Sequence, residues 1–105
     1  MAKKAETKLK EKVLGALHTL PETWCVKVQQ VAIRGTPDIL ACIRGHFIAI
    51  ELKSSPEHEP DALQQYTLDS IEDAGGLAVV VDPVNWPDVF EGLQAMAYGK
   101  NPEKH

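Results

Sequence analysis

The sequence has no apolar run long enough to span a membrane, and its start, MAKKAETKLKEKV, contains no apolar signal core. Secretion and membrane insertion are not expected, and a cytoplasmic location is. Cysteine is scarce: Cys25 and Cys42 lack CxxC spacing, which favours two reduced thiols over a disulfide framework. His18, His46, His58 and His105 show no metal-ligand spacing. No repeat or low-complexity tract is visible. The most informative absence is of positive charge: no Lys or Arg lies between Lys53 and Lys100. Residues 1–53 hold nine Lys and Arg against five Asp and Glu (+4), and residues 54–105 hold two against ten (−8), which together give the net −4. A basic half joined to an acidic half lets one face meet phosphate while the other stays soluble; it is equally the pattern of an unevenly charged solvated surface.

At 105 residues and 44% hydrophobic, the chain suits a single domain with a real core, running from about residue 5 to 98 and followed by a loose tail over 99–105. Leu9, Val13, Ala16, Leu17 and Leu20 recur at helical spacing and predict a helix over 5–20, closed by Pro21. Residues 24–33 are rich in β-branched side chains and predict a strand. DILACI (38–43) and FIAIEL (47–52) predict two more around a tight Arg44-Gly45 turn. A polar loop with two prolines leads to a helix over 61–74, stopped by Gly75-Gly76. LAVVVD (77–82) predicts a strand buried on both faces. Asn85 is placed to cap a last helix reaching Tyr98, with Pro87 in its first turn. The order αβββαβα predicts an α/β fold, a mixed sheet flanked by helices.

If Arg44-Gly45 is a two-residue turn, Ile43 faces His46, and the same register places Asp38 opposite Glu51. Residues opposite one another on antiparallel strands share a face, and Lys53 shares it with Glu51 through the period of two. Two carboxylates and an amine then converge at one end of a hairpin. Close carboxylates repel unless a cation lies between them, and oxygen ligands suit Mg²⁺ or Mn²⁺. Water on such an ion is more acidic, and a nearby amine can orient it, so these residue types fit hydrolysis of a phosphodiester. The plainer reading is a turn followed by a surface ion pair, which contributes only about 0–1 kcal/mol.

Two helical positions bear on that choice. At about 100° per residue, Glu6 falls within roughly 40° of Val13, Leu17 and Leu20, so it faces the protein, whereas Glu11 faces solvent. A carboxylate aimed inward needs a partner, unless it only favours the helix start through the dipole. On the second helix Gln64 shares the face of Leu68, Ile71 and Thr67, and Gln65 sits at its margin. An amide there can serve the same site or simply cover the sheet edge. Lys3, Lys4, Lys8, Lys10 and Lys12, with Arg34 and Arg44, are candidates for phosphate contact, though a lysine-rich exposed helix and turn arginines are equally ordinary. Trp24 and Trp86 are expected in the core or an interface.

Pro37-Asp38 followed by Glu51-Leu52-Lys53 resembles the motif of the PD-(D/E)xK nuclease superfamily. With Glu6, GTPD and QQYTLDSIEDAGG, the chain most resembles the VRR-NUC family, over about residues 5–82. That resemblance implies a restriction-endonuclease-like core and a Mg²⁺- or Mn²⁺-dependent DNA endonuclease. It implies that Asp38, Glu51 and the Leu52 carbonyl hold the ion, that Lys53 positions the attacking water, that Glu6 joins directly or through water, and that Gln64, with Gln65 as second choice, supports the site. It also implies a homodimer that cuts structured or branched DNA such as four-way junctions. The alternative is a catalytically silent module that keeps the fold to bind DNA or a protein.

Overall fold

The computed structural model describes residues 2–29 and 33–99; of the tail expected over 99–105, residues 100–105 lie outside them. Helix α1 (Ala2–Leu17) is followed by strands β1 (Thr23–Lys27), β2 (Ile39–Ile43) and β3 (His46–Leu52). Helix α2 (Ala62–Asp73), strand β4 (Leu77–Val81) and helix α3 (Trp86–Ala97) complete the order αβββαβα. The four strands form one sheet in the order β1-β2-β3-β4. β1, β2 and β3 run antiparallel, and β4 joins β3 in parallel, with α2 as the crossover. The fold is α/β with a mixed sheet flanked by helices.

The alternation of β2 and β3 sorts the sheet into two faces. Cys25, Ile39, Ala41, Ile43, Ile48, Ile50, Leu52 and Val81 form the core with Leu9, Val13 and Leu17 of α1 and Trp86, Leu93 and Ala97 of α3. Phe47, Ala49 and Glu51 point the other way, toward the side where Ile71 of α2 packs against Gly76. The Arg44-Gly45 turn has φ of 47° and 86°, as a two-residue hairpin of the twist-compatible kind requires, and Ile43 pairs with His46 as expected. Arg44 also reaches across, its Nε donating to the Ala97 carbonyl at 3.0 Å, so it closes the C-terminus of α3 rather than projecting freely.

Several boundaries differ from the sequence expectation. α1 ends at Leu17, not Leu20, because Thr19 and Leu20 donate to Ala16 and Leu17 in a tightened last turn and the Thr19 hydroxyl takes the Ala16 carbonyl at 2.6 Å. β1 stops at Lys27 instead of reaching 33, of which residues 30–32 lie outside the description. Its partner β2 begins only at Ile39, and the chain before it carries Pro37, without an N–H, and Gly35 at φ 87°. β4 is not buried on both faces: as an edge strand it is half-buried until Val81. Asn85 stands at the N-cap of α3, but its side chain turns back to the Asp82 N–H and the Val80 carbonyl instead of capping. Trp86 is buried against Phe90, whereas Trp24 is 64% exposed and belongs to no core. Among the described residues no helix is long and apolar enough to cross a membrane.

Candidate active site

Asp38 precedes β2, and the ladder between β2 and β3 ends at Ile39 with Ile50. The expected Asp38–Glu51 ladder pair is therefore absent. Asp38 instead donates its N–H to the Ile50 carbonyl at 3.0 Å, and its carbonyl accepts from Val28 at 2.8 Å. Its carboxylate takes over the next ladder position: Oδ2 accepts from the Leu52 N–H at 2.8 Å. That bond fixes the Asp38 side chain at the open end of the hairpin, beside Glu51. By strand geometry the Leu52 carbonyl faces the same side as its N–H, where β2 has ended.

Glu51 is 3% exposed, one of two buried charged side chains among the described residues. Its Oε2 lies 3.6 Å from Lys53 Nζ. Its Oε1 is buried with no hydrogen-bond partner among the described residues. The Glu51 carboxyl is pushed up from 4.5 to about 7, first by loss of water around it and then by the like charge of Asp38; the Lys53 ammonium only partly counteracts this. Two carboxylates thus lie close together, the amine pairs with Glu51, and the buried Oε1 has no donor among the described residues. Such an oxygen is costly unless something positive reaches it.

Lys53 follows β3 and is aimed by α2. Its Nζ donates to Gln64 Oε1 at 3.0 Å. The same oxygen accepts from the Asp61 N–H at 2.9 Å, while Asp61 Oδ1 accepts from the Gln64 N–H at 2.8 Å, a reciprocal capping box. The cap of α2 therefore fixes which end of the Gln64 amide meets the lysine. Between the two glutamines the geometry is unambiguous: Gln65 is exposed and donates to Asp69 at 2.9 Å, away from Lys53. Asp61 was not among the sequence candidates, although its spacing to Gln64, an acid followed three residues later by Gln, is the signal of a capping box.

The remaining candidates are scattered. Glu6 is half-buried on α1 and Glu11 exposed, as their helical phases predict. Yet among the described residues no three His, Cys, Asp or Glu side chains gather as ion ligands, so Glu6 does not complete such a group with Asp38 and Glu51. The physical reason is layering: α1 packs on the core face of the sheet, while Glu51 points to the α2 face. Lys4 and Lys8 are exposed on α1, and Arg34 is exposed in the loop that leads to Asp38. His58 is engaged with Ser54 at 3.0 Å. A groove of about 620 Å³ between α2 and β4 is lined by Asp69, Glu72 and Asp73, a charge that repels phosphate.

The donor set fits a hard divalent ion. It offers carboxylate oxygens from Asp38 and Glu51 with a carbonyl nearby, an excess of negative charge, and an oxygen lacking a partner. Mg²⁺ usually takes only one or two protein carboxylates, so two suffice without Glu6. In comparison with known proteins, the chain matches no family model, no curated protein and no solved structure.

Proposed function

We propose that the chain is a Mg²⁺- or Mn²⁺-dependent endonuclease that hydrolyses phosphodiester bonds in structured or branched DNA, acting as a homodimer of the PD-(D/E)xK, VRR-NUC-like kind. The observation that carries the reading is the buried, partnerless Glu51 Oε1 beside Asp38, with Lys53 at 3.6 Å. Asp38 and Glu51 would hold the ion, with the Leu52 carbonyl as a further ligand and Glu6 at most through water. When bound, the ion supplies a more acidic water and offsets charge on the phosphoryl group. Lys53, held by Gln64, orients the nucleophilic water and neutralises negative charge beside it. Exposed Lys4, Lys8 and Arg34 would contribute sequence-independent phosphate contacts.

The test incubates the protein with supercoiled, flapped and four-way-junction DNA in Mg²⁺, Mn²⁺ or EDTA. Cleavage that requires the ion and is lost in Glu51→Ala and Lys53→Ala is the expected result. Cleavage that persists in EDTA, or in both variants, removes the mechanism. Binding without cutting on every substrate points instead to the silent module.

A further inference from the structure

The two edges of the sheet are treated differently. On β4 the residues bonded to β3 include Val81, whose carbonyl takes the Lys53 N–H, so Ala78 and Val80 turn their backbone groups outward. Both are met by side chains: Glu72 Oε2 accepts from the Ala78 N–H at 2.8 Å, and Asn85 Nδ2 donates to the Val80 carbonyl at 2.9 Å. On β1 the bonds Arg44 N–H to Glu22 carbonyl and Val28 N–H to Asp38 carbonyl assign the even-numbered residues to β2. Thr23, Cys25 and Lys27 therefore turn their backbone groups outward, and no hydrogen bond to them is present among the described residues. No charge or proline guards this edge at its centre, and beside it Trp24 and Val26 are exposed at 64% and 39%. A bare edge flanked by apolar side chains is a template for another strand.

We propose that this edge pairs with the same edge of a second copy, antiparallel across a twofold axis through Cys25. In that register Thr23 lies opposite the partner's Lys27, and Trp24 lies opposite the partner's Val26 in a closely spaced pair on the exposed face. All three outward residues of each strand then find donors and acceptors. Charge favours this arrangement: β1 is preceded by exposed Glu22 and ends at exposed Lys27, so antiparallel self-pairing brings each acidic end next to a basic end at adjoining positions, and parallel pairing would bring like charges together. A five-residue strand with one tryptophan, which buries roughly 150–250 Å² at most, is a small interface, so a weak, concentration-dependent dimer is expected. The result is a continuous eight-stranded sheet, twice the four strands of one copy. This assignment specifies the surface of the dimer in the proposed function but does not depend on nuclease activity.

The test measures mass by sedimentation from low micromolar to several hundred micromolar protein, without metal or DNA. The parent chain is expected to pass from monomer to dimer, and Val26→Lys, an exposed position that leaves the core intact, is expected to remain monomeric with an unchanged circular dichroism spectrum. A register test uses Cys25→Ala and Cys42→Ser throughout, which removes both native thiols: chains carrying Trp24→Cys mixed with chains carrying Val26→Cys should crosslink on oxidation, and neither should crosslink alone. A parent chain that stays monomeric, or a dimer that survives Val26→Lys, overturns the proposal. Loss of DNA cleavage alone bears on the proposed function and leaves this one standing.

Discussion

At the scale of single residues, the site is governed by one unsatisfied carboxylate. Glu51 ionises less readily in the folded chain than in the unfolded one, from 4.5 to about 7. A raised acid favours folding while protonated, so its contribution is complete below about pH 4.5 and is lost as pH rises through about 7. At about 1.4 kcal/mol per factor of ten in proton affinity, the loss is roughly 3 kcal/mol. Without metal, Glu51→Gln should therefore be more stable than the parent at pH 8 by up to roughly 3 kcal/mol and nearly equal to it at pH 4. Urea denaturation at the two pH values measures this. Lys53→Ala separates holding from hydrolysing. It leaves both carboxylates in place, so calorimetry should still detect Mn²⁺, while cleavage falls at least about 100-fold. The types Asp, Glu and Lys at 38, 51 and 53 were legible in the sequence because strand alternation puts Glu51 and Lys53 on one face. The orphaned oxygen was not, since it depends on what fails to arrive beside it.

At the scale of elements, the loop before β2 and the start of α2 are wedged together. A Cβ on Gly35 would meet the Leu63 carbonyl oxygen at 2.9 Å, and its φ is 87°. Gly45 has φ 86° with open space around it. Gly35→Ala should therefore cost more than Gly45→Ala, which carries only the left-handed strain of about 1 kcal/mol; thermal melts compare them directly. Asp61→Ala removes the cap of α2 and should cost about 0.5–2 kcal/mol. The Gln64 side chain keeps its bond from the Asp61 backbone N–H in this variant, so cleavage should fall only as far as the uncapped first turn of α2 frays, and Asp61→Asn, which can still cap, should restore most of both. The helical positions and the hairpin turn were readable from periodicity and from Arg44-Gly45. The ends of β1 and of the β2–β3 ladder were not, because a strand extends only as far as its neighbour offers partners.

At the scale of the molecule, the ion and the proton compete for one place. A divalent ion binds the ionised Glu51, so its stabilisation should grow as pH rises through about 7. The melting temperature should rise little with Mn²⁺ at pH 5 and clearly at pH 8, by about 2.7 kcal/mol in stability at one hundred times the dissociation constant. An equal rise at both pH values would mean that the ion binds elsewhere. The charge division persists in space: Asp61, Asp69, Glu72 and Asp73 lie on or beside α2, and the lysines cluster on α1. DNA binding, if it uses the basic side, should weaken steeply with salt.

The sequence by itself determined the order of elements, the two faces of the hairpin, the inward phase of Gln64 and the position of the tight turn. Each follows from local geometry, periods of two and of 3.6 and the left-handed backbone at Arg44 and Gly45, which operate within a few residues. Tertiary structure alone decided that Asp38 would bond the Leu52 amide rather than pair with Glu51, that Gln64 rather than Gln65 would hold Lys53, and that α1 would carry Glu6 on the other face of the sheet from Glu51. These outcomes depend on which distant groups compete for the same donors and on how layers stack, and neither is encoded in the spacing of any one segment.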